Sequence, residues 1–153
     1  MQQKNNMIKK EDELKTKIRV ALGSNDGVFI FPHHMGKADD FYIYDVSEDG
    51  NLALVEKRKN TSPDVEGEHG RIEKMKAVME ILKDVDVLIG RRMSPNFIRM
   101  AAQTGFQPVV VKIDRITDIM DGLKRQFSKV SNLIEQRQKG ERPKEIPIIN
   151  GSE

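Results

Sequence analysis

The sequence predicts an α/β protein whose mixed sheet has an antiparallel hairpin, a parallel half and a covering of helices. Three observations predict this class. Residues 41–55 alternate apolar and polar side chains around a turn, which is typical of a hairpin. From about residue 70 the apolar period changes from two to 3.6, which indicates helices. Two short apolar runs then separate the helices, and buried parallel strands have that composition.

The first predicted strand covers residues 17–23. Its apolar side chains stand at alternate positions, namely Ile18, Val20 and Leu22. A glycine- and asparagine-containing break ends it, and a short apolar piece follows at residues 28–31. That piece leads into residues 32–38, which contain two adjacent histidines and are called the histidine loop below.

The predicted hairpin follows the histidine loop directly. Residues 41–46 are rich in aromatic and β-branched side chains, residues 47–50 supply turn chemistry, and a second strand resumes at Leu52. Residues 60–67 are dense in proline, glycine, serine and aspartate, so we expect a loop there.

The second half of the chain alternates helices and buried strands. The first helix ends near Asp84 and carries one apolar face made of Ile72, Met75, Val78, Met79 and Leu82. A buried strand is predicted at residues 85–90. Ser94 can then cap a helix that begins with Pro95, a favoured first residue. Another buried strand is predicted at residues 108–113.

A single long helix, capped by Asp114 or Thr117, closes the predicted fold. Its apolar stripe is longer than a small domain is expected to cover and consists of Ile116, Ile119, Met120, Leu123, Phe127, Val130 and Ile134. We therefore expect a monomer or a weak homodimer. The sequence leaves open whether the isoleucines beyond Gly140 dock on the core. The predicted organisation is a flexible tail at residues 1–16, one folded domain at 17–139 and an extension at 140–153.

Composition excludes several classes of protein. The 153 residues include no cysteine, so disulfides, thiolate nucleophiles and cysteine-ligated metal sites are absent. A net charge of +2 among 33% charged residues is unlike the concentrated basic face of a nucleic-acid binder. The sequence contains neither the roughly 20-residue apolar run of a membrane span nor a signal peptide. We therefore expect a cytoplasmic protein that binds neither nucleic acid nor membrane.

The segment between the buried strand at residues 85–90 and the helix that begins at Pro95 predicts an anion site. Arg91 and Arg92 offer forked donors for oxyanions, and Ser94 and Asn96 lie where a helix presents unpaired N–H groups. Parallel strands end at this point, and ligands gather at the carboxyl ends of such strands. The alternative is that both arginines face solvent or pair with nearby carboxylates.

The three histidines all lie in predicted loops or at element ends. His33 and His34 are neighbours, and since neighbours in an extended segment point to opposite sides, one of them is expected to face a pocket. His69 stands at the start of the first helix and could approach the same place. Such imidazoles can hold a metal or an anion. The alternative is that they are ordinary hydrated loop side chains.

Catalytic arrangements find little support. The first strand carries none of the acids that a two-metal nuclease needs, and neither a GxSxG nucleophile motif nor a phosphate-binding GxxxxGK[ST] or GxGxxG motif is present. A nuclease or a nucleotide-using enzyme is therefore the least supported class, and we expect no enzymatic activity.

Residues 34–45 carry a pattern that resembles a known family. They read His-Met-Gly-Lys-Ala-Asp-Asp-Phe-Tyr-Ile-Tyr-Asp, which is similar to the His-Phe-Gly-x-Ala…Phe-x-Ile-Tyr-Asp signature of the dinitrogenase iron–molybdenum cofactor biosynthesis family. The resemblance covers about residues 17–125. It implies a ribonuclease H-like three-layer α/β fold with helices on both faces. It also implies a non-catalytic carrier of an iron–molybdenum or related molybdenum or iron sulfide cluster, with donor or acceptor proteins as partners.

The resemblance also assigns candidate residues. His34 matches the family histidine, His69 matches the histidine before the first helix, and both are candidate metal ligands. The predicted cluster-binding set is His34, Gly36, His69, Arg91, Arg92, Ser94 and Asn96. Met35 stands where the family has an aromatic residue. The two arginines replace small residues, and they either strengthen the binding of an anionic cluster or block the pocket. The alternative function is a regulatory protein-interaction domain with a vestigial pocket.

Overall fold

The structure is a computed structural model that describes residues 17–151, so the predicted flexible tail lies outside the described residues. Its strands are β1 (Lys17–Ser24), β2 (Asp40–Ser47), β3 (Leu52–Lys59), β4 (Val87–Gly90), β5 (Gln107–Lys112) and β6 (Ile148–Asn150). Its helices are α1 (Gly67–Ile81), α2 (Pro95–Gln103), α3 (Ile116–Arg125) and α4 (Phe127–Gln138), with a 3₁₀ turn at Met35–Lys37.

The six strands form one mixed sheet in the order β3-β2-β1-β4-β5-β6. β1, β2 and β3 are antiparallel neighbours, which confirms the predicted hairpin. β4 lies parallel to β1, and β5 and β6 continue in parallel. The predicted division into an antiparallel and a parallel half is therefore confirmed.

Helices cover both faces of the sheet, so the predicted three-layer α/β fold is confirmed. Alternate residues of the strands supply the two cores. One core joins Val20, Tyr44 and Val109 to apolar residues of α3 and α4. The other joins Ile43 and Leu88 to apolar residues of α1 and α2. Among residues 17–151, no helix combines the length and the apolar character that crossing a bilayer requires.

The prediction of one long C-terminal helix is wrong, because two helices replace it. The chain bends at Gln126, whose backbone φ is −103° and ψ is 14°. Neither Asp114 nor Thr117 caps the first of them; Arg115 occupies the cap position without a side-chain bond. The Ile116 N–H donates instead to the Val28 carbonyl at 2.9 Å, so a neighbouring loop satisfies the helix terminus.

The bend keeps the whole apolar stripe on the sheet. The predicted stripe residues of both helices lie in the core, including Ile119 and Val130 at 0% exposure. The stripe that favoured self-association is thus covered within one copy of the chain. The question that the sequence left open is also answered, since β6 pairs with β5 and buries Ile149.

Candidate functional site

A cavity of about 680 Å³ opens where β4 ends and α2 begins. It lies between α1 and α2, and the histidine loop forms its third wall. Gly23 at the end of β1 lets this loop approach, since a Cβ there would lie 2.6 Å from the Ala38 Cβ. The cavity thus sits at the carboxyl ends of two parallel strands, where the sequence predicts a ligand.

Five of the seven predicted binding residues line this cavity. They are His34, Gly36, Arg92, Ser94 and Asn96. The cap predicted for the second helix is confirmed, because the Ser94 hydroxyl accepts a hydrogen bond from the Phe97 N–H at 3.2 Å. That bond fixes the first turn of α2 at the cavity wall.

Arg91 lies elsewhere, although it is next to Arg92. Its Nε donates to Asp114 Oδ1 at 2.8 Å, and its Nη1 contacts the Val111 carbonyl at 3.4 Å. The adjacent side chains therefore leave the loop in different directions. Arg91 joins the ends of β4 and β5, which is the carboxylate pairing that the sequence left open, and Arg92 alone reaches the cavity lining.

His69 does not lie with His34. Its side chain is 87% exposed, and its Nε2 is 3.1 Å from Oε1 of Glu73, one helical turn along α1. The predicted convergence of two imidazoles in one pocket is not found. Within residues 17–151, no three His, Cys, Asp or Glu side chains come close enough to hold a metal ion.

The two neighbouring histidines of the histidine loop diverge as well. His34 lines the cavity and is solvent-accessible at the start of the 3₁₀ turn. The ring of His33 instead packs edge-on against Phe31, with 5.7 Å between centroids. A single imidazole is therefore offered to the cavity.

The floor of the cavity is apolar. Phe97 lies across the end of β4, where a Cβ on Gly90 would stand 2.6 Å from the Phe97 ring. Glycine at position 90 is thus what lets the ring close the floor. The thioethers of three methionines complete this surface, at Met35, Met75 and Met100. Thioether sulfur is soft and polarizable.

The rim of the cavity is mainly cationic. Four basic side chains line it, at Lys37, Arg71, Lys74 and Arg92, against the two acids Asp64 and Glu66. Only Lys74 of these four pairs with a carboxylate in the described part of the chain, at 3.5 Å from Asp64. The first residues of α1 and α2 also line the cavity, so two positive helix-dipole ends face it.

Sequence reasoning missed the α1 wall. Arg71, Lys74, Met75 and Val78 follow the i, i+3, i+4, i+7 spacing of one helical face. The sequence shows this spacing, but the apolar residues of a helix by themselves predict only which of its faces is buried. A mixed cationic and apolar stripe was the signal that would have found the wall.

Comparison with known proteins agrees with the signature in the histidine loop. No curated protein and no solved structure matches the chain, so the ribonuclease H-like topology stays a prediction. Residues 16–126 match the family described as dinitrogenase iron-molybdenum cofactor, which spans the histidine loop, the cavity walls and β1 to β5. This chain belongs to the dinitrogenase iron-molybdenum cofactor family.

Proposed function

We propose that this protein binds an iron–molybdenum cofactor, or a related molybdenum or iron sulfide cluster, in the cavity and carries it without catalysing a reaction. Family membership supports an association with the iron–molybdenum cofactor. The observation that carries the proposal is the cation-rimmed cavity beside two helix N-termini. Its volume falls within the roughly 300–1,000 Å³ that is typical of small-molecule sites.

The chemistry of the walls suits an anionic, sulfur-rich guest. Arginine and lysine without carboxylate partners can donate to a negatively charged cluster without first breaking an ion pair. A metal sulfide cluster brings its own sulfur, so the absence of cysteine is no obstacle. The thioethers and Phe97 offer soft, apolar contacts for sulfide faces.

His34 supplies one exchangeable ligand in this proposal. A carrier must also release its cargo, and a single accessible imidazole is easier to displace than a closed set of ligands. Donor and acceptor proteins are then needed at each end of the transfer.

Tetrathiomolybdate is a suitable probe, because its binding can be followed by visible absorbance and by metal analysis after gel filtration. We expect Arg92→Gln to raise the Kd about tenfold, which corresponds to about 1.4 kcal/mol for one charged hydrogen bond. Arg99→Gln is the matched control on the exposed side of α2 and should bind like wild type.

The histidines provide a second matched pair of variants. His34→Gln should weaken binding, whereas His69→Gln should leave it unchanged because His69 points into solvent. Equal binding by all four variants, or no binding by the wild type, would remove the proposal. Hydrolysis or redox turnover of the probe would overturn the non-catalytic part.

A regulatory interaction module is the second candidate function. Three large apolar side chains in the chain segments that form the cavity mouth are exposed, namely Val65 (50%), Met93 (44%) and Ile98 (57%). Exposed apolar clusters often mark protein contacts. If this is the main role, Met93→Ser with Ile98→Ser will abolish capture of a partner while tetrathiomolybdate binding stays absent or unchanged. Light scattering measures self-association and pull-down measures capture of a partner, each for the wild type and for the double variant.

A further inference from the structure

Asn60 holds the histidine loop from a polar groove beside the cavity. Its Nδ2 donates to the carbonyl oxygens of Gly36 and Ala38, each at 2.7 Å. These carbonyls belong to the turn that follows His34, so the amide holds the turn on which this imidazole is mounted.

The hydrogen bonds of this amide are complete. Its Oδ1 accepts from the Ser62 N–H at 3.0 Å and from the Ser62 hydroxyl at 2.6 Å. Two donors and two acceptor positions are therefore in use. The reverse orientation would set the amide oxygen against two carbonyls, so the network itself determines how the amide lies.

The network continues to α1. The Ser62 hydroxyl accepts from Lys74 Nζ at 3.0 Å, and Lys74 also donates to the Pro63 carbonyl at 3.3 Å. The stem of Lys74 packs on the same turn, since a Cβ on Gly36 would lie 3.4 Å from the Lys74 Cε. One wall of the cavity is thus tied to another by a chain of hydrogen bonds and by direct packing.

We infer that Asn60 is the positioning residue of the cavity: acting through the backbone of residues 36–38, it sets where His34 and Lys37 stand relative to α1, with Ser62 and Lys74 holding Asn60 itself in place. Asn60 does not line the cavity between α1 and α2. It lies in the adjoining polar groove, which shares Gly36, Lys37 and Lys74 with that cavity.

This arrangement resembles the second layer of a metal site. Residues that orient ligands without touching the guest can change affinity strongly, because a ligand held in the right place binds without first being ordered. The effect of Asn60 on the affinity for a cluster rests on the proposed function, whereas its effect on the position of the histidine loop does not.

The test compares Asn60→Ala with Asn51→Ala, an exposed asparagine in the β2–β3 turn. In the free protein, Asn60→Ala should shift the backbone amide resonances of residues 35–38 and the imidazole resonances of His34. Amides of α4 should stay unchanged, and Asn51→Ala should reproduce the wild-type spectrum in the histidine loop. The Kd for tetrathiomolybdate should rise about tenfold, which is the lower end of the range for such residues.

Each outcome decides the inference. If Asn60 merely stabilises the fold, folded molecules of the variant will keep wild-type resonances at His34, and the inference is overturned. If Asn60→Ala does not fold, Ser62→Ala takes its place. The Ser62→Ala variant keeps both hydrogen bonds from Asn60 to the carbonyls but removes the link to Lys74. The backbone amide resonances of residues 35–38 should then shift by less than in Asn60→Ala. If they do not shift at all, the inference is overturned. If the wild type binds no tetrathiomolybdate, the proposed function fails while the spectra still decide the role of Asn60.

Discussion

Neighbouring side chains take unrelated roles in this protein, and Arg91 and Arg92 show why. Both lie in the short connection between the end of β4 at Gly90 and the cap of α2 at Ser94, where successive side chains leave the backbone in different directions. Arg91 donates to the Asp114 carboxylate at 2.8 Å, and Arg92 lines the cavity. The question of whether the pair binds or blocks a guest therefore concerns Arg92 alone.

Among residues 17–151, Arg137 is the most deeply buried cation, at 4% exposure. Its guanidinium donates to Gln107 Oε1 and to the carbonyls of Ala101, Thr104 and Pro143, at 2.8–3.0 Å. Burial lowers the pKa of this guanidinium, and the nearby charge of Arg142 adds to the effect. The side chain joins the end of α2 to the segment around Pro143, and no carboxylate within the described part of the chain pairs with it.

We expect Arg137→Met to destabilise the protein by on the order of 3 kcal/mol, because several buried acceptors lose their donor. Urea denaturation followed by circular dichroism measures the free energy of unfolding. Arg125→Met, at an exposed position on α3, is the matched control and should change it by less than about 0.5 kcal/mol. Equal losses in both variants would show that the buried hydrogen bonds contribute little.

At the scale of elements, an ion-pair cluster joins the end of α1 to the β3 edge. Asp84 accepts from Arg58 at 2.6 and 2.8 Å and from Arg19 at 3.1 Å. Arg58 also donates to the Ile81 carbonyl in the last turn of α1. The hydrogen bonds from Arg58 hold the pKa of Asp84 well below its usual range, with a smaller contribution from Arg19.

The stability of this junction should therefore depend on pH. A carboxyl with a lowered folded-state pKa stabilises the fold above its unfolded value of about 3.9, and that stabilisation is lost as the pH falls toward the folded value. We expect Asp84→Asn to be less stable than wild type at pH 7 and to lose less stability between about pH 4 and pH 2. Thermal unfolding of both proteins from pH 7 to pH 2 measures this difference in stability.

The control for this pH dependence is Asp121→Asn, at an exposed position on α3. The stability of Asp121→Asn should depend on pH in the same way as that of the wild type over the whole pH range. If the stability of Asp84→Asn falls with pH in parallel with that of the wild type, the ion pair between Arg58 and Asp84 is too hydrated to contribute to stability.

At the scale of the whole molecule, the last strand completes the sheet. β6 covers the edge of β5, and its two isoleucines have opposite environments, since Ile149 is 3% exposed and Ile148 is 52% exposed. Ile149 packs against α3, where a Cβ on Gly122 would lie 2.6 Å from its Cγ2. Residues 148–150 of the extension are thus part of the folded domain, and Ile149 belongs to its core.

We expect Ile149→Ala to cost about 2–5 kcal/mol, because it leaves a cavity in the core. Ile148→Ala should cost less than about 0.5 kcal/mol, since its side chain already meets water. The free energies of unfolding of the two variants give a direct comparison. A small loss at Ile149 would show that β6 is only loosely attached.

The sequence by itself determined the order of the elements from β1 to β5, the two halves of the sheet, the cap at Ser94 and the family. These features depend on local signals, namely apolar periodicity, turn chemistry and a contiguous signature in the histidine loop. The same signals located five cavity residues, because strand ends and helix starts are visible in sequence.

Only the tertiary structure decided which side chains meet. The divergence of Arg91 from Arg92, the outward turn of His69, the α1 wall, the bend at Gln126 and the bond from Asn60 to the histidine loop all depend on contacts between distant segments. Periodicity reports which face of an element is buried, but it does not report which partner lies opposite. A candidate cavity assembled from three separate segments therefore becomes visible only when the fold brings them together.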